Sequence, residues 1–302
     1  MTKIAIIGAG VAGLTLANKL TGIADITIYE KSRGVGGRMS TRRMDDVHFD
    51  HGCPFFEVTS LSFKTFLRES LTEDALVLWH NNQQVAVPSM SSFCKQLSVG
   101  LNVLLNQTVT QLKRSNNQWV VQTPQSASHY DWVICTAPAE QTRALLSPHC
   151  SIPDLSSYSQ YTAMLNYGDN LVIDKPWVKP CNDLIHTAIT NSQKPKRSGP
   201  TTCVVHSALD LPSRVSIETF CQSVISALPS LLGFEPQSPI GITPHTWRLA
   251  QTKDTANQPF ILDQQTQLAA CGDWCLGATV ESSYTSSALL AKTLTNLCHT
   301  IR

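Results

Sequence analysis

The sequence predicts an α/β fold organised around a parallel sheet. An apolar run, Ile4 to Ile7, leads directly into the glycine pattern Gly8-Ala-Gly-Val-Ala-Gly13, and an acidic residue, Glu30, ends the next apolar run. A strand, a tight glycine turn and a helix in this order form the phosphate-binding unit of a Rossmann-type domain. Glycine-rich turns alone are common, so the prediction depends on their position between a strand and a helix.

Each glycine of this pattern is expected to have its own structural task. Gly8 lets the chain turn sharply, Gly10 lets the backbone approach a pyrophosphate, and Gly13 lets the helix pack on the strand. The helix is predicted over residues 11–20, with Ala12 in its first turn. Its free N–H groups and the positive end of its dipole then face the phosphates.

Glu30 and the segment after it indicate which dinucleotide is bound. Glu30 stands about 20 residues after the glycines, where a carboxylate accepts hydrogen bonds from ribose hydroxyls and repels a ribose phosphate. Lys31-Ser-Arg-Gly-Val-Gly-Gly-Arg-Met39 follows it and contains the doublet Gly36-Gly37 and then Arg38. A nicotinamide-binding fold does not need this second cluster. In FAD-dependent oxidases and desaturases it runs beneath the cofactor, with its arginine at the pyrophosphate, so the pattern favours FAD.

A third element lies near the other end of the chain. The apolar run Leu268-Ala-Ala-Cys271 leads into Gly272-Asp273, and the apolar spacing predicts a helix from Ser282 to His299. In FAD proteins of this group the Gly-Asp pair binds the pyrophosphate or the ribityl chain. The backbone N–H groups near Val280 and Glu281 are expected to face the pyrimidine end of the flavin, where negative charge grows on reduction.

Six segments together resemble a bacterial renalase-like flavoprotein, within the broad group of flavin-containing amine oxidases. They are K-S-R-G-V-G-G-R-M-S-T-R-R (31–43), F-D-H-G-C-P-F-F (49–56), P-S-M-S-S-F (88–93), V-I-C-T-A-P-A (133–139), H-T-W-R-L-A (245–250) and C-G-D-W-C (271–275). The resemblance is strong at both ends of the chain, and C-G-D-W-C is its most specific element. It implies non-covalent FAD and a fold like that of p-hydroxybenzoate hydroxylase and the amine oxidases.

The resemblance also implies an activity. Renalases oxidise mis-reduced isomers of the nicotinamide dinucleotides, pass the electrons to dioxygen and release hydrogen peroxide. Hydride transfer to a flavin requires no protein group to move a proton, which agrees with the lack of an obvious nucleophile or carboxylate pair in the sequence. His245, Trp247 and His206 are the predicted residues of the substrate side, and Phe55 and Phe56 are candidates for the wall of the flavin cavity.

Part of the substrate region departs from the renalase pattern. Thr187 and Thr190 stand where renalases carry an aromatic residue and an arginine, and the tryptophan expected shortly after His206 is missing near Asp210. These departures concern the substrate and leave FAD binding untouched. Two alternatives therefore stay open, which are a flavin-dependent oxidase of a small amine and an FAD-binding protein without turnover.

The pattern of short strands and helices predicts two interleaved domains. The predicted ranges are 1–77, 92–148 and 263–302 for the FAD-binding domain, and 78–91 and 149–262 for a smaller α+β substrate domain. Val109 is expected to reach the adenine through its backbone, as in similar FAD enzymes. Three basic residues, Lys194, Lys196 and Arg197, are candidates for contact with the phosphates of a dinucleotide substrate.

The composition agrees with a cytoplasmic enzyme. The chain has 302 residues, 42% of them hydrophobic, and a net charge of +1, which argues against a nucleic-acid partner. The ten cysteines are scattered without zinc spacing, so we expect free thiols and no metal site. The apolar N-terminal run holds the phosphate-loop glycines and is not a signal peptide, and no run is long enough to span a membrane. A monomer or weak homodimer is expected.

Overall fold

The structure is a computed structural model that describes residues 1–44, 46–169, 171–180 and 182–300. The helices are α1 (Val11–Leu20), α2 (Leu61–Ser70), α3 (Met90–Leu97), α4 (Ala139–Leu146), α5 (Ile217–Leu232), α6 (Asp273–Leu276) and α7 (Val280–Thr300). The strands are β1 (Lys3–Ile7), β2 (Asp25–Tyr29), β3 (Arg42–Met44), β4 (Val47–Phe49), β5 (Phe56–Glu57), β6 (Leu76–Leu78), β7 (Gln83–Ala86), β8 (Val103–Leu104), β9 (Gln111–Ser115), β10 (Gln118–Gln122), β11 (Ala127–Tyr130), β12 (Trp132–Cys135), β13 (Ser157–Asn166), β14 (Trp177–Val178), β15 (Ile185–Thr190), β16 (Thr202–Ser207), β17 (Gly241–Thr252), β18 (Ile261–Asp263) and β19 (Leu268–Ala270).

A six-stranded sheet with the order β18-β19-β12-β1-β2-β8 forms the centre of the first domain. Its strands run parallel except for β18 at one edge. Both faces are covered, which is the usual reason that strands of a parallel sheet are apolar on both sides. Ile4 and Ile6 pack in one core with α1, α3 and α7, whereas Ala5 between them packs in a second core with Trp119. This arrangement confirms the predicted α/β fold.

The helices that flank the sheet follow local signals in the sequence. The helix predicted over residues 11–20 is α1, and it ends as predicted at Leu20. The last helix begins at Val280, two residues before the predicted start. The Thr279 hydroxyl oxygen accepts a hydrogen bond from the Ser282 N–H at 3.0 Å, as an N-cap does, and this explains the earlier start. Within the described ranges, no helix is both long and apolar enough to cross a membrane.

A five-stranded antiparallel sheet with the order β14-β15-β16-β13-β17 forms the second layer. One face packs on α5, where Leu165 and Val205 meet Phe220 and Val224 in a separate core. Side chains alternate along a strand, so the neighbours of Leu165 and Val205 point the other way. Met164 on β13 accordingly packs with Phe49 of the first domain. The face opposite α5 is therefore the face that meets the first domain.

The structure differs from the prediction for residues 78–91. The sequence assigns this stretch to the substrate domain, but β7 lies between β5 and β6 in a small antiparallel sheet. Val85, Ala86 and Met90 are buried in the same core as α1. The stretch therefore packs with the first domain, through strand pairing and through its buried apolar side chains.

Candidate active site

One large cavity, of about 2190 Å³, is lined by residues of both domains. It brings together most of the residues that the sequence singles out. The predicted site residues along its wall are Gly8, Gly10, Ala12, Glu30, Lys31, Gly36, Gly37, Arg38, Val109, His206, His245, Trp247, Asp273, Val280 and Glu281. The two remaining ones, Gly13 and Gly272, lie behind the wall in contact with neighbouring backbone or side chains.

The glycine loop has the geometry that its pattern predicts. Gly8 has a φ of +109°, in the region that favours glycine. A Cβ on Gly13 would lie 2.0 Å from the carbonyl oxygen of Gly8, so α1 approaches β1 closely only because this side chain is missing. A Cβ on Gly10 would meet no protein atom within 4 Å, although Gly10 lines the cavity. The space beside Gly10 is therefore part of the cavity, where a phosphate group has direct access to the backbone.

Glu30 is buried and is oriented by two backbone groups. One of its carboxylate oxygens accepts the Ala9 N–H at 2.9 Å, and the other accepts the Ser32 N–H at 2.8 Å. The side chain thus joins the first glycine loop to the second glycine cluster. A carboxylate oxygen has more than one lone pair, so each oxygen is still able to accept a hydrogen bond from a hydroxyl in the cavity.

Replacing Glu30 with Ala is expected to weaken FAD binding by about tenfold to hundredfold. The loss of charge-assisted hydrogen bonds is worth about 1.5–3 kcal/mol, which corresponds to that range of affinity. Titration of the apoprotein with FAD measures the change. Glu57→Ala is the control, because Glu57 lines the same cavity but is exposed on β5. An unchanged FAD affinity in the Glu30 variant would show that Glu30 only ends a strand.

Arg38 and Asp273 form an ion pair across the cavity wall. The guanidinium donates two hydrogen bonds to the carboxylate, at 2.7 and 2.8 Å, and a third to the Ala250 carbonyl oxygen at 3.1 Å. Burial is the largest single influence and acts to lower the pKa of Arg38, but the charge and the hydrogen bonds of Asp273, together with smaller contributions from Cys53 and Glu140, outweigh it, and the pKa is raised. The two residues that the sequence assigns separately to the pyrophosphate therefore form one unit, which also ties β17 to the first domain.

At the start of α7 the Glu281 side chain and the backbone N–H groups have different roles. The Glu281 carboxylate accepts hydrogen bonds from the Thr59 N–H, the Thr59 hydroxyl and the Ser60 N–H, at 2.7 to 2.8 Å. This fixes the Glu281 side chain at the beginning of α2. The N–H groups of Val280 and Glu281 belong to the first turn of α7, where no intrahelical acceptor is available, and both residues line the cavity.

Gly272, next to Asp273, serves packing. Its N–H donates to the Ser286 hydroxyl at 3.0 Å, and a Cβ at this position would lie 2.9 Å from the indole nitrogen of Trp274. Gly272 therefore lies behind the cavity wall and positions Asp273 at its surface.

The side of the cavity that the antiparallel sheet forms, which the sequence predicts to be the substrate side, contains a row of residues across four strands. His245 on β17 is opposite Thr162 on β13, Thr162 is opposite His206 on β16, and His206 is opposite Thr187 on β15. Paired residues in antiparallel strands share a face of the sheet, and here it is the face opposite α5. His206 Nδ1 lies 3.2 Å from the Thr162 hydroxyl oxygen, while its buried Nε2 has no hydrogen-bond partner within the part of the chain that the structure describes.

His51, which the sequence does not single out, completes this side. The Trp247 indole N–H donates to the His51 carbonyl oxygen at 3.0 Å, and the two rings stack with centroids 5.1 Å apart and planes 28° apart. His245 meets both rings edge-on, at 4.9 and 4.6 Å. We call these three residues the ring cluster. The segment F-D-H-G contains His51, but the sequence points only to Phe55 and Phe56 in that region.

The histidines of the cavity are neutral near pH 7. Burial, together with the neighbouring His245 and Arg42, lowers the pKa of His51 to about 4. Burial, and then the charge of Lys194, lowers the pKa of His206 to about 3. Burial and Arg42 also lower the pKa of His245. No cluster of three His, Cys, Asp or Glu side chains in the described ranges is arranged to hold a metal ion.

Phe55 and Phe56 both reach the cavity wall but pack differently. Phe55 is half-buried and contacts Trp177, with ring centroids 5.4 Å apart. Phe56 is buried against Phe63 and Phe93 in the core of the first domain. Phe55 is thus the phenylalanine that faces the five-stranded antiparallel sheet.

The expected phosphate role of Lys194, Lys196 and Arg197 is wrong. None of the three lines the cavity. Lys194 and Arg197 bind the buried Asp50 carboxylate at 3.0 and 2.8 Å, and Lys196 pairs with Asp74 at the surface. The sequence alone indicates a charged loop. In the structure Lys194 and Arg197 are buried, and they join this loop to Asp50, which follows β4.

Comparison with known proteins matches two consecutive parts of the chain to family models. Residues 6–70 match the family model described as an NAD(P)-binding Rossmann-like domain, and residues 81–288 match the model described as flavin containing amine oxidoreductase. A stretch of 51 residues is 47% identical to a 4,4'-diapophytoene desaturase (4,4'-diaponeurosporene-forming) of Staphylococcus aureus (strain Newman). That stretch is 17% of this chain and 10% of the desaturase, so the chain matches about a tenth of the length of these curated relatives.

Solved structures resemble the chain over nearly its whole length. A putative protoporphyrinogen oxidase from Exiguobacterium sp. 255-15 has a TM-score of 0.75 at 12% identity, covering 97% of this chain and 98% of that one. A fatty acid isomerase from P. acnes that produces CLA has a TM-score of 0.69 at 12% identity, covering 96% and 98%. A putrescine oxidase with bound putrescine has a TM-score of 0.67 at 11% identity, covering 97% and 98%. These TM-scores establish a shared fold, and at identities this low they establish the fold alone.

Proposed function

Because this chain belongs to the flavin-containing amine oxidoreductases, a family of FAD-dependent enzymes, we propose that it is a renalase-like oxidase. Its donor is an isomeric dihydronicotinamide dinucleotide, and its acceptor is dioxygen, which becomes hydrogen peroxide. FAD, when bound, supplies the chemistry of accepting a hydride and returning the electrons to dioxygen. The protein's own residues bind the two partners, orient them and exclude water.

The residues of the first domain fit FAD. The open space beside Gly10 and the uncapped start of α1 suit a pyrophosphate. The fixed Glu30 carboxylate suits ribose hydroxyls, and the N–H groups at the start of α7 suit the pyrimidine ring. Arg38, held by Asp273, retains further N–H groups that are able to reach a phosphate.

The observation that carries the proposed donor is the neutral ring cluster on the substrate side. The stacked rings of His51 and Trp247 form a flat surface, and His245 closes it edge-on. A dihydropyridine is flat and uncharged, so it is suited to stack on such a surface. His206 Nε2, buried without a partner in the described part of the chain, offers one hydrogen bond to a polar group of the donor, such as a carboxamide.

The charges of the cavity favour this donor over an amine. An alkylamine arrives as a cation, because its pKa is near that of lysine, about 10.4. Three of the four carboxylates along the cavity are already engaged by protein groups: Glu30, Asp273 and Glu281. The fourth, Glu57, is exposed on β5. Amine oxidation is the second candidate, because the chain matches the model of the flavin containing amine oxidoreductases and shares its fold with putrescine oxidase.

Replacing His245 with Ala is expected to lower the rate of flavin reduction by a few-fold to about a hundredfold, through loss of positioning. The cavity histidines titrate below their usual range, so the rate should change little between about pH 6.5 and 8.5 in both proteins. Stopped-flow absorbance with isomeric dihydronicotinamide dinucleotides measures the rate. His129→Ala is the control, since His129 is exposed on β11. A steep loss of rate below about pH 7.5 would point to proton transfer and against this role.

The overall reaction is tested under air with the same donors. We expect one hydrogen peroxide and one oxidised nicotinamide dinucleotide for each donor consumed. Consumption of the donor without peroxide would exclude dioxygen as the acceptor, and peroxide formed only with primary amines would support the second candidate.

A further inference from the structure

Six cations on the cavity wall have no carboxylate partner in the described ranges: three are Arg42, Arg43 and Lys95, and the other three are Lys31, Arg33 and Arg248. Arg42 and Arg43 lie on β3, and Lys95 lies on α3. None of them forms an ion pair with a described residue, whereas Arg38, Lys194 and Arg197 all do. Arg42 is half-buried, and Arg43 and Lys95 are exposed. A half-buried guanidinium without a counterion on a cavity wall is available for an anionic ligand.

The register of β3 places Arg42 next to the ring cluster. The Thr243 hydroxyl lies 3.3 Å from the sulfur of Met44, so β3 passes beside the start of β17. Arg42 precedes Met44 by two residues and therefore shares its face of the strand. His245 follows Thr243 by two residues and therefore shares its face of β17. The charge of Arg42 also lowers the pKa of both His51 and His245, as expected for a cation close to both rings.

Arg43 and Lys95 are exposed residues of the same cavity wall. Arg43 lies on the opposite face of β3 from Arg42. After burial, the nearby charge of Arg43 is the second cause that lowers the pKa of Lys95. Positive charges that are close together repel each other, and a bound anion would relieve this repulsion. The cavity wall thus carries neutral rings and, beginning with Arg42 beside them, positive charge without a carboxylate partner in the described ranges.

We propose that Arg42, Arg43 and Lys95 form an anion subsite that binds the diphosphate of the donor, while the ring cluster binds its dihydropyridine. This inference rests on the proposed function and extends it, because it makes the negatively charged half of a dinucleotide a determinant of specificity. A guanidinium presents several N–H groups in one plane and suits phosphate oxygens. The same subsite would repel cationic amines.

Binding to the oxidised, FAD-loaded protein tests the subsite without turnover. ADP-ribose is the probe, because it carries the diphosphate and lacks the nicotinamide ring. In isothermal titration calorimetry, the double variant Arg42→Gln, Arg43→Gln should bind ADP-ribose about tenfold to hundredfold more weakly than the native protein. Arg68→Gln is the matched control, since Arg68 is exposed on α2 and does not line the cavity. Equal affinity in the native protein and the double variant would overturn the proposal.

Two further measurements test the assignment of the subsite to the donor diphosphate. The FAD content of the double variant shows whether the cations contact FAD instead, and binding of glutarate shows whether they form a site for carboxylates. If the double variant loses FAD, the cations serve the diphosphate of FAD itself and the proposal is wrong. If the loaded protein binds glutarate but no ADP-ribose, the subsite is one for carboxylates and the diphosphate assignment is wrong. If ADP-ribose binds as predicted but no dihydronicotinamide is oxidised, the subsite stands and the proposed function fails.

A kinetic comparison tests the same subsite during turnover. For an isomeric dihydronicotinamide dinucleotide, the double variant should show a raised KM with kcat little changed, because the diphosphate is distant from the reacting carbon. For the corresponding dihydronicotinamide riboside, which has no phosphate, KM should be the same in both proteins. An equal rise of KM for both donors would contradict a diphosphate subsite.

Discussion

Replacing Asp50 with Asn is expected to lower the free energy of unfolding by about 3–5 kcal/mol, because it leaves two buried cations without their counterion. One oxygen of Asp50 binds Lys194 at 3.0 Å and Arg197 at 2.8 Å. The other accepts hydrogen bonds from the Thr41 hydroxyl at 2.7 Å and the Met90 N–H at 2.9 Å. The side chain of Lys194 is 0% exposed, so water cannot replace the lost carboxylate.

Urea denaturation of the two proteins, both saturated with FAD, measures this difference. Asp74→Asn is the control, because Asp74 pairs with Lys196 at 3.7 Å and its side chain is 87% exposed. Exposed pairs of this kind contribute about 0–1 kcal/mol. A loss for Asp50→Asn no larger than that of the control would mean that water or a shifted side chain neutralises the two cations.

The same carboxylate gives the stability a defined dependence on acid. Lys194 and Arg197 outweigh the effect of burial and hold the pKa of Asp50 well below its ordinary value of 3.8. A depressed carboxyl pKa stabilises the folded state above the unfolded pKa, and this contribution falls as the pH drops below about 4. The Asp50 variant should lack this part of the acid dependence.

Replacing Gly10 with Val is expected to weaken FAD binding by about a hundredfold or more while the protein still folds. A side chain at Gly10 meets no protein atom within 4 Å and would occupy the space that the phosphates need. The backbone of Gly10 is extended, with φ −81° and ψ −174°, which valine adopts without strain. Apoprotein titration with FAD gives the affinity, and circular dichroism gives the fold and the melting temperature.

Two other glycines provide the comparison for Gly10. Gly13→Val should prevent folding, because a Cβ there would lie 2.0 Å from the Gly8 oxygen. Gly241→Val should change neither property, because Gly241 is exposed and has no neighbour within 4 Å of an added Cβ. If Gly10→Val keeps the native FAD affinity, the pyrophosphate does not approach the backbone at this position.

The features that the sequence predicts well are those encoded within a short stretch of chain. The turn at Gly8, the helix after Gly10 and the carboxylate of Glu30 all lie within one strand-helix-strand unit, where spacing alone determines the geometry. The orientation of the Glu30 carboxylate is determined locally as well, because the Ala9 and Ser32 N–H groups that bind it belong to the two glycine segments.

The features that it does not predict depend on contacts between distant segments. His51 joins the site through Trp247, which lies 196 positions away, and Arg38 binds Asp273, which lies 235 positions away. Lys194 lies in a charged loop that resembles solvated chain, and only the fold shows that Asp50 buries it. Residues 78–91 lack a signal for their partner, because a short strand shows which face is apolar but not which sheet it joins.

Rapid anaerobic mixing of the oxidised holoprotein with candidate donors tests the proposed function most directly. Isomeric dihydronicotinamide dinucleotides should bleach the flavin absorbance band, and a primary amine should not. Bleaching by the amine alone would contradict the proposed function and support a flavin-dependent amine oxidase. A flavin that stays oxidised with every donor would also contradict the proposed function. The protein would then be one that binds FAD without turning over these donors.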